Sequence, residues 1–109
     1  MSQITIIEKE DYKIIKLSGQ FIGGEETDAL RVELKKLSEN TKTLIIDMEN
    51  VGYLNSLTLG VLISSNSNFS RKDSKMIICN LKDNLKSIFT VTKLYLVLNI
   101  VDKLEDIEL

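Results

Sequence analysis

Apolar and polar residues alternate weakly at the start of the chain, with Ile4 and Ile6 against Thr5 and Ile7, which predicts a strand. Glu10 and Asp11 turn the chain into a second predicted strand, Tyr12 to Leu17, which ends at Gly19. So short a turn makes the pair an antiparallel hairpin. Thr27-Asp28 supplies cap residues for a helix whose apolar stripe is Leu30, Leu34 and Leu37. Thr43 to Met48 is a continuous, β-branched apolar run, the pattern of a strand buried on both faces. A helix is predicted from Ser56 to Asn68, burying Leu59, Leu62, Ile63 and Phe69. It is followed by a second buried strand, Lys75 to Asn80. Asp83 caps a third helix with Leu85, Ile88 and Phe89 on one face. A last strand near Leu96 to Val101 and a helical turn from Lys103 complete the order.

Strands that alternate with helices require crossover connections, and crossovers build a parallel sheet. The expected fold class is therefore α/β: one mixed, mostly parallel sheet with an N-terminal antiparallel hairpin strand. The 109 residues are expected to form a single domain over 1–109. In such sheets, ligands and partners meet the carboxyl ends of the strands, where helix N-termini point. This directs attention to the turn between the Thr43 strand and the Ser56 helix.

Composition narrows the chemistry that this turn can perform. With 43% hydrophobic and 28% charged residues, a disordered chain is excluded. The formal net charge of -2 does not suit a cationic grip on phosphates, so no direct nucleic-acid contact is expected. There is no histidine, which removes the commonest general base and metal ligand, and no Ser–His–Asp or Cys–His arrangement can form. The single cysteine, Cys79, allows neither an intrachain disulfide nor a thiolate cluster, and its apolar strand context reads as a small buried hydrophobe. Neither a cofactor nor a metal is expected, and the chain is not expected to be an enzyme. No apolar run approaches the roughly 20 residues of a membrane span, and the start of the chain lacks a signal-peptide pattern. A cytoplasmic location without membrane insertion is the expectation.

The turn reads Asp47-Met48-Glu49-Asn50-Val51-Gly52-Tyr53-Leu54-Asn55-Ser56-Leu57-Thr58-Leu59-Gly60. Read from the residues alone, Asn55 and Ser56 are good helix N-caps, and either can serve purely to start the helix. The same residues also suit a modified serine. Orphan N–H groups and partial positive charge at a helix start would stabilise a phosphate there.

The pattern Asp47-x-x-x-Val51-x-Tyr53-Leu54-Asn55-Ser56-x-x-Leu59-Gly60 resembles the core of STAS domains of the anti-sigma factor antagonist type. Leu17-Ser18-Gly19 and the Asn80-Leu81 entry to the third helix add to the resemblance, which spans the whole chain in element order. In that family the turn usually reads aspartate–serine–serine–glycine–leucine–glycine, and a partner kinase phosphorylates the first serine. The resemblance implies Ser56 as the phosphorylation site, with Phe21, Ile22, Asn55, Leu57 and Thr58 as partner-binding residues around it. The implied partner is an anti-sigma factor with serine kinase activity. The unphosphorylated protein would bind it and free a sigma factor, and phosphorylation would end the binding, so regulating transcription. A homodimer is left open. Asn55, Leu57 and Thr58 stand where the family usually has aspartate, a small polar residue and glycine. This motivates an alternative, a STAS interaction module that takes no phosphate and acts as a constitutive adaptor or transporter accessory subunit.

Other groupings read more simply. Gly23-Gly24-Glu25-Glu26 lacks a phosphate-loop pattern, and its two glutamates would repel phosphate, so it reads as helix entry. Asp47, Glu49, Asp73 and Asp83 match no metal-ligand spacing and read as solvated or capping acids.

Overall fold

The computed structural model describes residues 3–107. The elements run β1 (Gln3–Glu8), β2 (Lys13–Phe21), α1 (Gly24–Asn40), β3 (Thr43–Leu54), α2 (Ser56–Arg71), β4 (Lys75–Cys79), α3 (Asp83–Val91) and β5 (Asn99–Ile100). Two 3-10 turns, Leu94–Leu96 and Leu104–Asp106, flank β5. The five strands lie in chain order in one sheet, with β1 antiparallel to β2 and the remaining pairs parallel.

A sheet that grows in one direction through right-handed crossovers places every crossover helix on the same face. The packing follows this rule. One large core joins Ile15, Leu17, Leu44, Ile46 and Ile78 of the strands to Leu30 and Leu34 of α1, Leu62 and Phe69 of α2, and Leu85 and Phe89 of α3. The opposite face carries a smaller cluster of Ile14, Ile45 and Cys79, flanked by half-buried Val101, Leu104 and Ile107 from the tail. β3 is covered on both sides, as its continuous apolar run predicts.

Several boundaries differ from the sequence reading, each for a local reason. β2 continues past Gly19 to Phe21, because Gly19 takes a φ of 94° and absorbs a register shift instead of ending the strand. β3 likewise runs to Leu54. Ser18 pairs with Asn50 and Gln20 with Tyr53, so β3 carries one extra residue at each shift. Asp47 supports the first of these. Its Oδ1 accepts the Glu49 N–H at 3.0 Å and the Asn80 side-chain amide at 2.9 Å. α1 begins at Gly24, where the Glu26 carboxylate accepts the Gly23 N–H at 2.8 Å, so Thr27-Asp28 lies inside the helix and does not cap it. The N-cap of α3 is Lys82, and Asp83 is an acidic residue of the first turn.

The buried face of α2 consists of Thr58, Val61, Leu62, Ser65 and Phe69, while Leu59 and Ile63 are only half-buried. The expected stripe of Leu59, Leu62 and Ile63 is thus rotated towards α1, where small side chains make the helix–helix contact. The last strand is reduced to Asn99–Ile100, since Leu94–Leu96 forms a 3-10 turn.

Candidate functional site

The site lies where β2 and β3 end and α1 and α2 begin. The Asn55 N–H donates to the Phe21 carbonyl at 3.0 Å, holding the two strand ends together. Asn55 is the N-cap of α2, and its Oδ1 accepts the Thr58 N–H at 2.9 Å. Its Nδ2 donates to the Ile22 carbonyl at 3.0 Å, which ties the loop before α1 to the start of α2. An aspartate at position 55 would keep the cap but have no proton for Ile22. This gives the asparagine its structural reason.

Thr58 is fully buried, and its hydroxyl lies 3.1 Å from the Phe21 carbonyl, 2.9 Å from Asn55 Oδ1 and 2.9 Å from the Thr27 hydroxyl. The Thr27 hydroxyl in turn lies 2.8 Å from the Gly23 carbonyl. Each hydroxyl has one proton, so these four contacts are shared between two donated bonds at any instant. The pair joins the first turns of α1 and α2 through a buried contact. Position 58 therefore needs no glycine, because the threonine hydroxyl is satisfied where it sits. Sequence reasoning missed this pair, since nothing local to Thr27 points to a partner in another helix.

Ser56 is the first residue of α2 and is exposed, and its hydroxyl has no hydrogen-bond partner among the described residues. The cap falls on Asn55, which leaves the Ser56 oxygen outside the backbone network. Beside it, Ile22 is 54% exposed and Leu57 49% exposed, two apolar side chains presented to solvent. Phe21 and Thr58 do not belong to that surface. Both have 0% exposure, Phe21 because the extended β2 turns its ring into the helix-side core. Of the expected contact residues, Ile22, Asn55 and Leu57 reach the surface, while Phe21 and Thr58 support the site from beneath.

A groove of about 560 Å³ leads from Ser56 along α2, with Arg31 and Lys35 of α1 on its other wall. Among the described residues no group of acids and cysteines is arranged to hold a metal ion, and Asp47 is occupied at the β3 bulge. Cys79 is fully buried, and burial, with smaller contributions from Asp47, Glu105 and Glu49, pushes its thiol up to about 12. A thiol held protonated in this way is a poor nucleophile. Among the described residues no helix is long and apolar enough to cross a membrane.

Several solved structures share this architecture. An anti-sigma factor antagonist from Mycobacterium paratuberculosis superposes with a TM-score of 0.85 at 17% identity, over 97% of this chain and 90% of that one. The anti-sigma factor antagonist SpoIIAA in its unphosphorylated form gives a TM-score of 0.75 at 13% identity, over 95% of this chain and 92% of that one. A sulfate transporter family protein from Wolinella succinogenes gives 0.73 at 17% identity, over 84% and 77%. At such identities these likenesses speak for the fold. The family is shown by the sequence itself: the STAS domain model matches residues 3–107, and the chain belongs to the STAS domain family.

Proposed function

We propose that this protein is an anti-sigma factor antagonist, a binding switch and not an enzyme, formed by one cytoplasmic domain over residues 1–109. Its partner is an anti-sigma factor with serine kinase activity. The kinase transfers the γ-phosphoryl group of ATP to Ser56 Oγ, the serine proton is lost, and ADP leaves. The observation that carries this reading is the division of labour at the turn. Asn55 caps α2, and the Ser56 hydroxyl stands exposed without a hydrogen-bond partner among the described residues.

A phosphate adds about -1.5 to -2 charges, and a helix N-terminus accommodates negative charge. Phosphorylation would therefore leave the domain folded and act on the bound surface. Ile22 and Leu57, exposed on either side, supply apolar contact area. The test is phosphotransfer from radiolabelled ATP by a purified anti-sigma factor kinase of the same cell. Label on the wild type and none on Ser56→Ala is the expected result, and equal labelling of the two would overturn it.

The second reading, a STAS module that binds without being phosphorylated, is favoured by Leu57 and Thr58 at the turn and by the likeness to a sulfate transporter family protein. Constitutive binding of a partner, with no phosphate on the protein under any growth condition, would support it.

A further inference from the structure

The groove beside Ser56 has a chemistry of its own. α1 and α2 both follow strands of a parallel pair and start together at the Thr27–Thr58 contact, so they run in the same direction. The groove between them extends from Ser56 to Asn68, about 18 Å at the rise of an α-helix. That is an open trough some three helical turns long.

Its α1 wall carries Arg31 and Lys35, one turn apart and therefore on one face. Arg31 pairs with Asp28, which lies outside the groove, and Lys35 has no ion-pair partner among the described residues. Among the described residues no carboxylate lines the trough, although acids outnumber bases 16 to 14 in the chain. The α2 wall is low. A Cβ added to Gly60 would meet nothing within 4 Å, and Ser64 follows one turn later.

Ser65, also in the lining, is 7% exposed, and its hydroxyl has no hydrogen-bond partner among the described residues. Among those residues no buried side-chain oxygen or nitrogen is both sealed and unpaired, so this hydroxyl opens into the groove.

We propose that this trough receives an acidic, amphipathic helix of the anti-sigma factor, its carboxylates facing Arg31 and Lys35 and its apolar side lying over the low wall of α2. Two cationic side chains on one wall (Arg31 shared with Asp28), the apolar Leu57 and Val61 beside the small Gly60 and Ser64 on the other, and the length of the cleft match a third helix better than a compact ligand. The proposal rests on the reading of Ser56 as the switch, and it gives that switch a cause. A phosphate at the mouth of the groove repels the acidic helix and competes for Arg31, with no change of fold.

The test places the photo-crosslinking residue p-benzoylphenylalanine at Ser64, and separately at Ile22, in the full chain inside its own cells. At Ser64 the expected product is linkage to a partner segment in which aspartate and glutamate outnumber lysine and arginine. Arg31→Glu with Lys35→Glu should lower that yield at least about tenfold, Arg31→Gln with Lys35→Gln less, and both should keep the wild-type urea midpoint. Lysine in place of the trapped segment's acids should restore linkage to the Glu variants. A neutral or basic segment, a second copy of this chain, or a yield indifferent to charge reversal overturns the proposal. Linkage at Ile22 alone overturns the groove and leaves the Ser56 reading standing, whereas linkage at neither position overturns both.

Discussion

Replacing Asn55 by alanine removes two bonds to the backbone at once, together with the contact of the Thr58 hydroxyl, which keeps the Phe21 carbonyl as an acceptor. The cap to the Thr58 N–H, 2.9 Å, is lost, and so is the bridge from Nδ2 to the Ile22 carbonyl, 3.0 Å. Loss of an N-cap side chain typically costs about 1 kcal/mol. A hydrogen bond between a side chain and a half-exposed carbonyl contributes about 0.5–1.5 kcal/mol net. Asn55→Ala should therefore destabilise the domain by about 2 kcal/mol, which at this size is roughly 8 °C in melting temperature. Asn55→Asp separates the two contributions. It keeps the acceptor and adds a charge that the helix N-terminus favours, but it loses the bridge and sets a carboxylate oxygen against the Ile22 carbonyl. About 1 kcal/mol of destabilisation is expected. Ser56→Ala touches neither bond and should stay within about 0.5 kcal/mol of wild type. Urea titrations at equal m-value measure all three. If Ser56→Ala cost as much as Asn55→Ala, the serine oxygen would belong to the helix start, and the argument for its availability would collapse.

Thr27→Val and Thr58→Val should each cost about 0.5–1.5 kcal/mol, because each removes the shared hydroxyl contact while the remaining hydroxyl keeps a carbonyl acceptor, and the double variant should cost less than their sum. Additive costs would show that the pair is not coupled. Leu57→Ser should change stability by less than about 1 kcal/mol, because the side chain is 49% exposed, and should weaken partner binding by at least about 1 kcal/mol in calorimetric titration. Unchanged affinity removes Leu57 from the interface. Cys79 has its thiol raised from 9.0 to about 12 in the folded state, so the unfolded chain gives up its proton first as pH rises. The contribution is fully present below pH 9 and is lost between pH 9 and 12, with a slope of up to about 1.4 kcal/mol per pH unit. Cys79→Ala should lack that component of the alkaline slope, and an identical slope in the two proteins would contradict the burial argument.

The elements carried by repetition were legible: the buried runs of β3 and β4, the Leu30–Leu34–Leu37 stripe of α1 and the Leu85–Phe89 face of α3. The cap of α2 was legible as Asn55 or Ser56, because a cap is a bond between residues three apart, and the structure places it on Asn55. Glycine misled at Gly19. As a single letter it reads as a stop, yet its positive φ is what lets β2 pass a bulge and carry Phe21 into the core. Thr27 misled for the opposite reason. It has the chemistry of a cap, and its partner Thr58 lies 31 residues away, beyond the reach of any local pattern. The same long-range contact explains the rotation of α2. Leucines suggest the buried arc, but against another helix the small Thr58 and Ser65 are buried while Leu59 stays half out. The groove and the open Ser65 hydroxyl arise from that packing and have no signature along the chain.

The claim that Ser56 is a phosphate acceptor can be read directly by mass spectrometry of the protein isolated from its own cells, with and without phosphatase treatment. The account predicts one phosphate on the wild type, localised to Ser56 by fragmentation and removed by phosphatase, and none on Ser56→Ala. An unmodified Ser56 under every growth condition, or a phosphate on Thr58 or Ser64 instead, would contradict it.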